Sequence, residues 1–196
     1  MSLPPQLRPS LTPQELEFIA CNQETIEIIP LFGMDRIRLI SGIYGPFVPP
    51  AKTRVPLWLA TNLKLKMKCR IIPPEWLSVD YLNAKVEEEI AAEEFSELPF
   101  RYAEIAKVLL DTASDNIQQA DKVRFLLKEL REARQAKARK GLSRIDFSLV
   151  DLPNLCAMEI NEIRPYFVKA MGVMGQLTAG MHPPGGGGGE GMEIDN

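Results

Sequence analysis

Residues 55–76, VPLWLATNLKLKMKCRIIPPEW, decide how this chain is put together. Pro56 suits the first turn of a helix, where its missing N–H would go unpaired anyway. Leu57, Trp58, Leu59 and Leu63 give that helix an apolar side, and Lys64, Lys66, Lys68 and Arg70 follow in quick succession. Ile71-Ile72 reads as a brief extended run, because the residue before a proline avoids the α region. Pro73-Pro74 ends the run, and Trp76 supplies a large anchor just beyond it. Short alternating apolar runs broken by Gly and Pro lie ahead of this stretch, and long helical patterns lie behind it.

Upstream, Thr12-Pro13-Gln14-Glu15 is a helix start: Thr12 caps, Pro13 takes the first helical position and Glu15 completes a capping box. A short helix to about Cys21 follows. Residues 25–29 (TIEII) and 36–40 (RIRLI) partly alternate, as half-buried strands do. Gly42 and Gly45-Pro46 punctuate a third short run ending at Phe47. Val48-Pro49-Pro50 is no central strand, since proline donates no ladder hydrogen bond. A unit this small has a marginal core and is expected to pack on the rest of the chain or on a partner.

Downstream, Ser78 caps a helix that turns acidic, with Glu87, Glu88, Glu89, Glu93, Glu94 and Glu97. Such a run is usually a solvated face, and a basic partner surface is the sharper alternative. Pro99 opens a helix carrying Tyr102, Ile105, Ala106 and Leu109, broken at Ser114-Asp115-Asn116. Val123, Leu126, Leu127, Leu130 and Ala133 stripe a long helix that Gly141 is expected to stop. A last helix starts near Leu152-Pro153, and Pro165 inside it predicts a kink or break.

The architecture predicted is mainly α with a small β-rich N-terminal module. Residues 12–55 form the module, 56–76 a connecting helix and short extended run, and 77–180 a helical domain, a bundle of about four or five helices. The Pro-rich residues 1–11 and the Gly-rich residues 182–196 are expected to be disordered.

Composition is that of an ordinary globular protein: 196 residues, 45% hydrophobic and 25% charged, with a net charge of −3. Cys21, Cys69 and Cys156 are widely spaced and odd in number, which suggests neither a zinc site nor a disulfide framework. No stretch approaches the roughly 20 apolar residues of a membrane span, and no secretory signal opens the chain. A soluble intracellular protein is expected, with no membrane contact.

No catalytic apparatus is visible. His182, the single histidine, sits in the Gly/Pro tail, which removes nearly every Ser-His or Cys-His arrangement. The Gly185–Gly189 run lacks the strand, Lys and Ser/Thr of a phosphate-binding loop. Glu159 and Glu162 share a helix face, and Cys69 lies between two cations, but each reads better as structural. No cofactor or metal set emerges.

Two surfaces remain. Arg131, Arg134, Lys137 and Lys140 form a candidate basic patch for DNA, though without aromatics to stack bases. Pairing with the acidic helix or with an acidic partner is the better reading of those charges. Met158, Ile160, Ile163, Phe167, Met171 and Met174 make the last helix apolar over more than one stripe. That helix is either a central core helix or a subunit interface, since obligate interfaces resemble a core cut in two.

VPLWLA, NLK and KCRIIPPEW resemble the Psf-two type of subunit of the eukaryotic GINS complex. Ile28-Ile29-Pro30, Ile37-Arg38-Leu39-Ile40, Gly45-Pro46-Phe47, Ser114-Asp115-Asn116-Ile117 and Met158-Glu159-Ile160-Asn161 continue the likeness in order, over roughly residues 14–175. The resemblance implies a β-rich (B-type) module ahead of a helical (A-type) domain. It implies a non-catalytic subunit of a heterotetramer with Sld-five, Psf-one and Psf-three type partners. It further implies nuclear work in DNA replication, with the MCM ring and Cdc-forty-five forming the replicative helicase and DNA contact indirect or weak.

Overall fold

The structure, a computed structural model, describes residues 10–142 and 153–181. Expectations for residues 1–9, 143–152 and 182–196 lie outside the described residues; of the stretch 1–11 expected to be disordered, Leu11 is instead ordered, its backbone exchanging two hydrogen bonds with Asn161. In order come α1 (Pro13–Gln23), β1 (Thr25–Pro30), β2 (Ile37–Leu39), β3 (Gly42–Tyr44), β4 (Thr53–Pro56), α2 (Leu57–Leu65) and β5 (Cys69–Ile71). Then follow α3 (Val79–Ala91), α4 (Tyr102–Thr112), a 3-10 turn at Ser114–Asn116, α5 (Ala120–Leu142) and α6 (Ala157–Met181). The fold is mainly α with a small antiparallel β module near the N-terminus.

The capping box at α1 is formed on both sides: Thr12 N–H donates to the Glu15 carboxylate at 2.8 Å, and Glu15 N–H donates to Thr12 Oγ1 at 3.3 Å. Ser78 caps α3 through Tyr81 N–H. Each cap satisfies a backbone donor that the helix itself leaves orphaned.

Residues 55–76 turn out to clasp the sheet. Its strand order is β4-β1-β5, all antiparallel, with Ile26 opposite Val55 on one side and Ile28 opposite Ile71 on the other. β4, which carries no obvious alternation, was not expected. The extended run at Ile71 is β5, and it completes the sheet rather than merely leading away from it. Pro56 ends β4 and serves as N-cap of α2, one position earlier than expected. β1 alternates as read, with Ile26 and Ile28 buried on the core face.

α2 ends in a Schellman turn: Met67 N–H donates to Lys64 O and Lys68 N–H to Leu63 O. Met67 occupies the left-handed position with φ 55°. Glycine is usual there, and a side chain costs roughly 1–2 kcal/mol. β2 and β3 form a separate hairpin, tied back by the Met34–Phe47 bridge and by Phe47 stacked on Phe32 at 5.4 Å. Gly45, at φ +104°, leaves room where a Cβ would sit 3.3 Å from Arg36 Cα.

One core runs through both regions. Ile28, Val55, Leu57 and Ile71 from the sheet side join Leu82, Leu109, Val123 and Leu130 from the helices. The small module therefore packs on its own helical region. Lys64 is buried at the join, its ammonium 2.6 Å from Asp115 of the 3-10 turn. Asn116 Oδ1 of the same turn accepts from Ile71 N–H of β5.

α6 corrects one expectation. It starts at Ala157 and runs unbroken through Pro165 to Met181. Proline removes a single i→i−4 bond, and here the turns on either side carry the helix across.

Candidate functional site

Arg134 lies on the buried stripe of α5, in register with Val123, Leu126 and Leu130. Its side chain is 0% exposed. All five guanidinium donors are used, the full complement of an arginine. Nε donates to Glu159 Oε1 at 2.6 Å and Nη2 to Glu159 Oε2 at 2.9 Å, a bidentate pair. Nη2 also reaches Asn154 O at 2.7 Å. Nη1 donates to Glu89 Oε2 at 2.9 Å and to Ser96 O at 3.0 Å. The Phe95 ring lies 4.9 Å from Cζ, within cation–π range.

Glu89 is equally buried. Its Oε2 also accepts from Ser96 N–H and Oγ–H at 2.9 and 2.6 Å. Lys137 Nζ stands 2.6 Å from Oε1 as an ion pair. Burial works against the Glu89 charge, but Lys137, Ser96 and Arg134 outweigh it and hold the carboxyl below its ordinary range. Burial likewise opposes the Arg134 charge, and Glu159 more than restores it.

Glu159 has a second task. Its Oε2 accepts from Cys156 N–H at 2.9 Å, so the same carboxylate closes the first turn of α6. One buried arginine thus fixes α3, the segment at Phe95–Ser96, Asn154 and the root of α6. Glu162 adds bonds to Arg131 and Gln135 on α5, and Asn161 exchanges two bonds with the backbone of Leu11. These ties all lie in the first two turns of α6.

In those turns and beyond them α6 carries apolar side chains that its own chain does not cover fully. Ile160, Met171 and Met174 are exposed, and Met158, Ile163 and Phe167 are half-buried. Tyr166, Val168 and Val173, not singled out in the sequence, are exposed on other sides of the helix. The central-core reading of α6 does not hold for this part. Past its root, α6 is therefore an apolar helix that the described residues leave partly exposed.

The candidate basic patch needs correction. Arg134 is interior, Arg131 pairs with Glu162, and Lys137 pairs with Glu89. Lys140 remains exposed at the end of α5. A helix that must bury one face brings Arg134 inward with that face, and the acidic helix α3, packed alongside, supplies the counter-charge. The pairing of basic with acidic helix is therefore found within the chain.

Comparison with known proteins now gives the family. Residues 12–72 match the PSF2 N-terminal domain, and residues 76–178 match the GINS complex protein helical bundle domain. The chain is 46% identical over 178 residues to DNA replication complex GINS protein psf2 of Schizosaccharomyces pombe, covering 91% of this chain and 97% of that protein. It is 42% identical to the Xenopus laevis PSF2 and 41% identical to the Homo sapiens PSF2, covering 87% and 86% of this chain and 94% and 93% of theirs. The chain belongs to the Psf2 family of GINS proteins.

In this Psf2-family chain the matched segments meet at Pro73–Glu75, directly after β5. Of the residues weighed for chemistry, Cys69, Glu159 and Glu162 are each held by contacts within the chain. Cys69 is buried, its thiol donating to Ala60 O, and burial pushes its pKa up despite Lys64. The cations beside it in sequence, Lys68 and Arg70, point the other way and are exposed, as strand alternation requires. Glu159 and Glu162 are held by different arginines. Cys156 is pushed up to about 12, by burial first and then by Glu159. Among the described residues no three His, Cys, Asp or Glu side chains stand together as metal ligands would.

Glu104 of α4 gave no sequence signal. It is 1% exposed, and neither carboxylate oxygen has a hydrogen-bond partner. Burial raises its pKa, against the pull of its own backbone and of Arg101. A folded value above the unfolded one means its stability contribution is complete below the unfolded pKa of about 4.3 and is lost as pH rises through the folded value. Glu104→Leu is expected to stabilise the fold at neutral pH by about 1–3 kcal/mol, the usual cost of an unsatisfied buried group. Urea melts at a series of pH values should show the gain shrinking toward pH 4.

Proposed function

We propose that this chain is a non-catalytic structural subunit of the heterotetrameric GINS complex, joined to Sld-five, Psf-one and Psf-three type subunits. With the MCM ring and Cdc-forty-five that complex forms the replicative helicase that initiates and extends DNA replication in the nucleus. ATP hydrolysis belongs to the MCM partners. The role of this chain is scaffolding: it buries partner surface and holds the assembly in a fixed arrangement.

The observation that carries the reading is α6, fixed at its root by Arg134 and Glu159 and apolar beyond it. Membership of the Psf2 family supplies the kind of assembly. A direct DNA-binding role loses its main support, because three of the four cations weighed for it have internal carboxylate partners.

The test is to express the full chain alone and with the three partner types, and to measure mass by light scattering. A defined heterotetramer containing one copy of this chain is expected. A stable lone monomer that ignores those partners would sink the reading.

A further inference from the structure

A second exposed surface lies far along the chain from α6, at the turn between α2 and β5. Leu31, Leu65 and Met67 are 61%, 70% and 78% exposed there. Leu31 and Met67 line a groove of about 550 Å³ together with Ile72, Pro73, Arg70 and the Lys64–Asp115 pair. Leu31 is held beside the turn by its N–H, which donates to Lys68 O at 2.8 Å.

Lys66 and Lys68 flank Met67 in the chain, and Arg70 lines the groove itself. Lys66, Lys68 and Arg70 are exposed, and none has an ion-pair partner among the described residues. The facing acidic group is Asp115, already engaged by Lys64 and felt more weakly by Arg70. This is an unusual concentration of uncompensated positive charge on a chain of net charge −3. Met67 is also the residue held at φ 55°, where glycine would fit with less strain. The Schellman turn sets that conformation, and it holds the Met67 side chain out in solvent.

We propose that this turn is a docking surface for an acidic protein segment that carries a large apolar side chain. Carboxylates of the segment meet Lys66, Lys68 and Arg70, and its apolar side chain packs between Met67 and Leu31. A nucleic acid is the poorer fit, because phosphates would leave those apolar groups uncovered and no aromatic is placed there to stack a base. The proposal deepens the assembly reading by adding a site for a further partner, on a surface separate from α6.

The test uses the full chain as purified, assembled with its partners or, should it remain single, alone. A fluorescent peptide of sequence EDELFEDE is titrated and followed by anisotropy. Saturable binding is expected. Lys68→Glu with Arg70→Glu should weaken it about tenfold or more. Met67→Gly should weaken it about fivefold, while its melting temperature stays level or rises, which separates lost contact from lost fold. Absence of saturation, or equal binding by Met67→Gly, overturns the proposal. A single-stranded oligonucleotide that binds as tightly and competes with the peptide overturns it too, because the turn would then read charge alone. Light scattering on the same samples reports assembly independently of peptide binding.

Discussion

Arg134→Ala is expected to destabilise the chain by about 3–5 kcal/mol, the range for breaking a buried ion pair from one side. The reason lies in what remains. Glu159 keeps its burial and loses its charged partner, Glu89 loses one of its two cations and keeps Lys137, and Ser96 O and Asn154 O lose a donor each. Urea unfolding at neutral pH measures the loss.

A companion result gives the mechanism. Arg134→Met combined with Glu159→Gln should recover part of the loss, because Glu159 is the carboxylate whose charged partner was Arg134, whereas Glu89 keeps Lys137 and Ser96. In the wild-type chain the folded pKa of Glu89 is lowered, so its stability is present above the unfolded carboxylate value of about 4.3 and is lost as pH falls through the lower folded value. A single-site variant unfolding like the wild type at every pH would show that the cluster contributes nothing.

The second large effect is on assembly. Ile163→Asp and Phe167→Asp are each expected to weaken incorporation into the complex by about 2–4 kcal/mol, roughly 30- to 1,000-fold. Phe167 lies past the turns that bind α6 to its own chain, and Ile163 sits at their end, half-buried, so an added carboxylate at Phe167 meets the partner rather than the core. Mass measurement on the co-expressed complex reads the outcome, and circular dichroism of each variant shows whether helix content is kept. A tetramer that survives both substitutions would place the interface elsewhere.

What could be read from the sequence was whatever rests on neighbours in the chain. Thr12, Pro13 and Glu15 announced α1, and Ser78 announced α3, because a cap is a bond between residues three apart. The stripe from Val123 to Leu130 announced α5 for the same reason. The distant pairings were not legible in that way. β4 has too few residues to show a period, and its partner β1 lies across the hairpin.

The Arg134 cluster left a fainter signal. Arg134 follows Leu130 by four residues on the core stripe, and Glu89 follows Val86 by three on that of α3. Two opposite charges at core positions were there to be noticed. However, basic residues near a helix end also fit the helix dipole, and that local explanation concealed the buried one. Glu104 had no such signal, since its burial depends entirely on what packs over α4. For α6, the apolar residues were legible, but only the fold shows that the chain leaves them bare.

The clasp formed by β4, α2 and β5 has a consequence for how the protein is made. β1 sits between two strands that both follow it, the second more than forty residues later by the pairing of Ile28 with Ile71. During vectorial synthesis the N-terminal sheet stays incomplete until Cys69–Ile71 has left the ribosome. Any excised piece meant to fold alone must therefore extend through Ile72. A cut after Val55 would remove one edge of the sheet along with the helix that closes it.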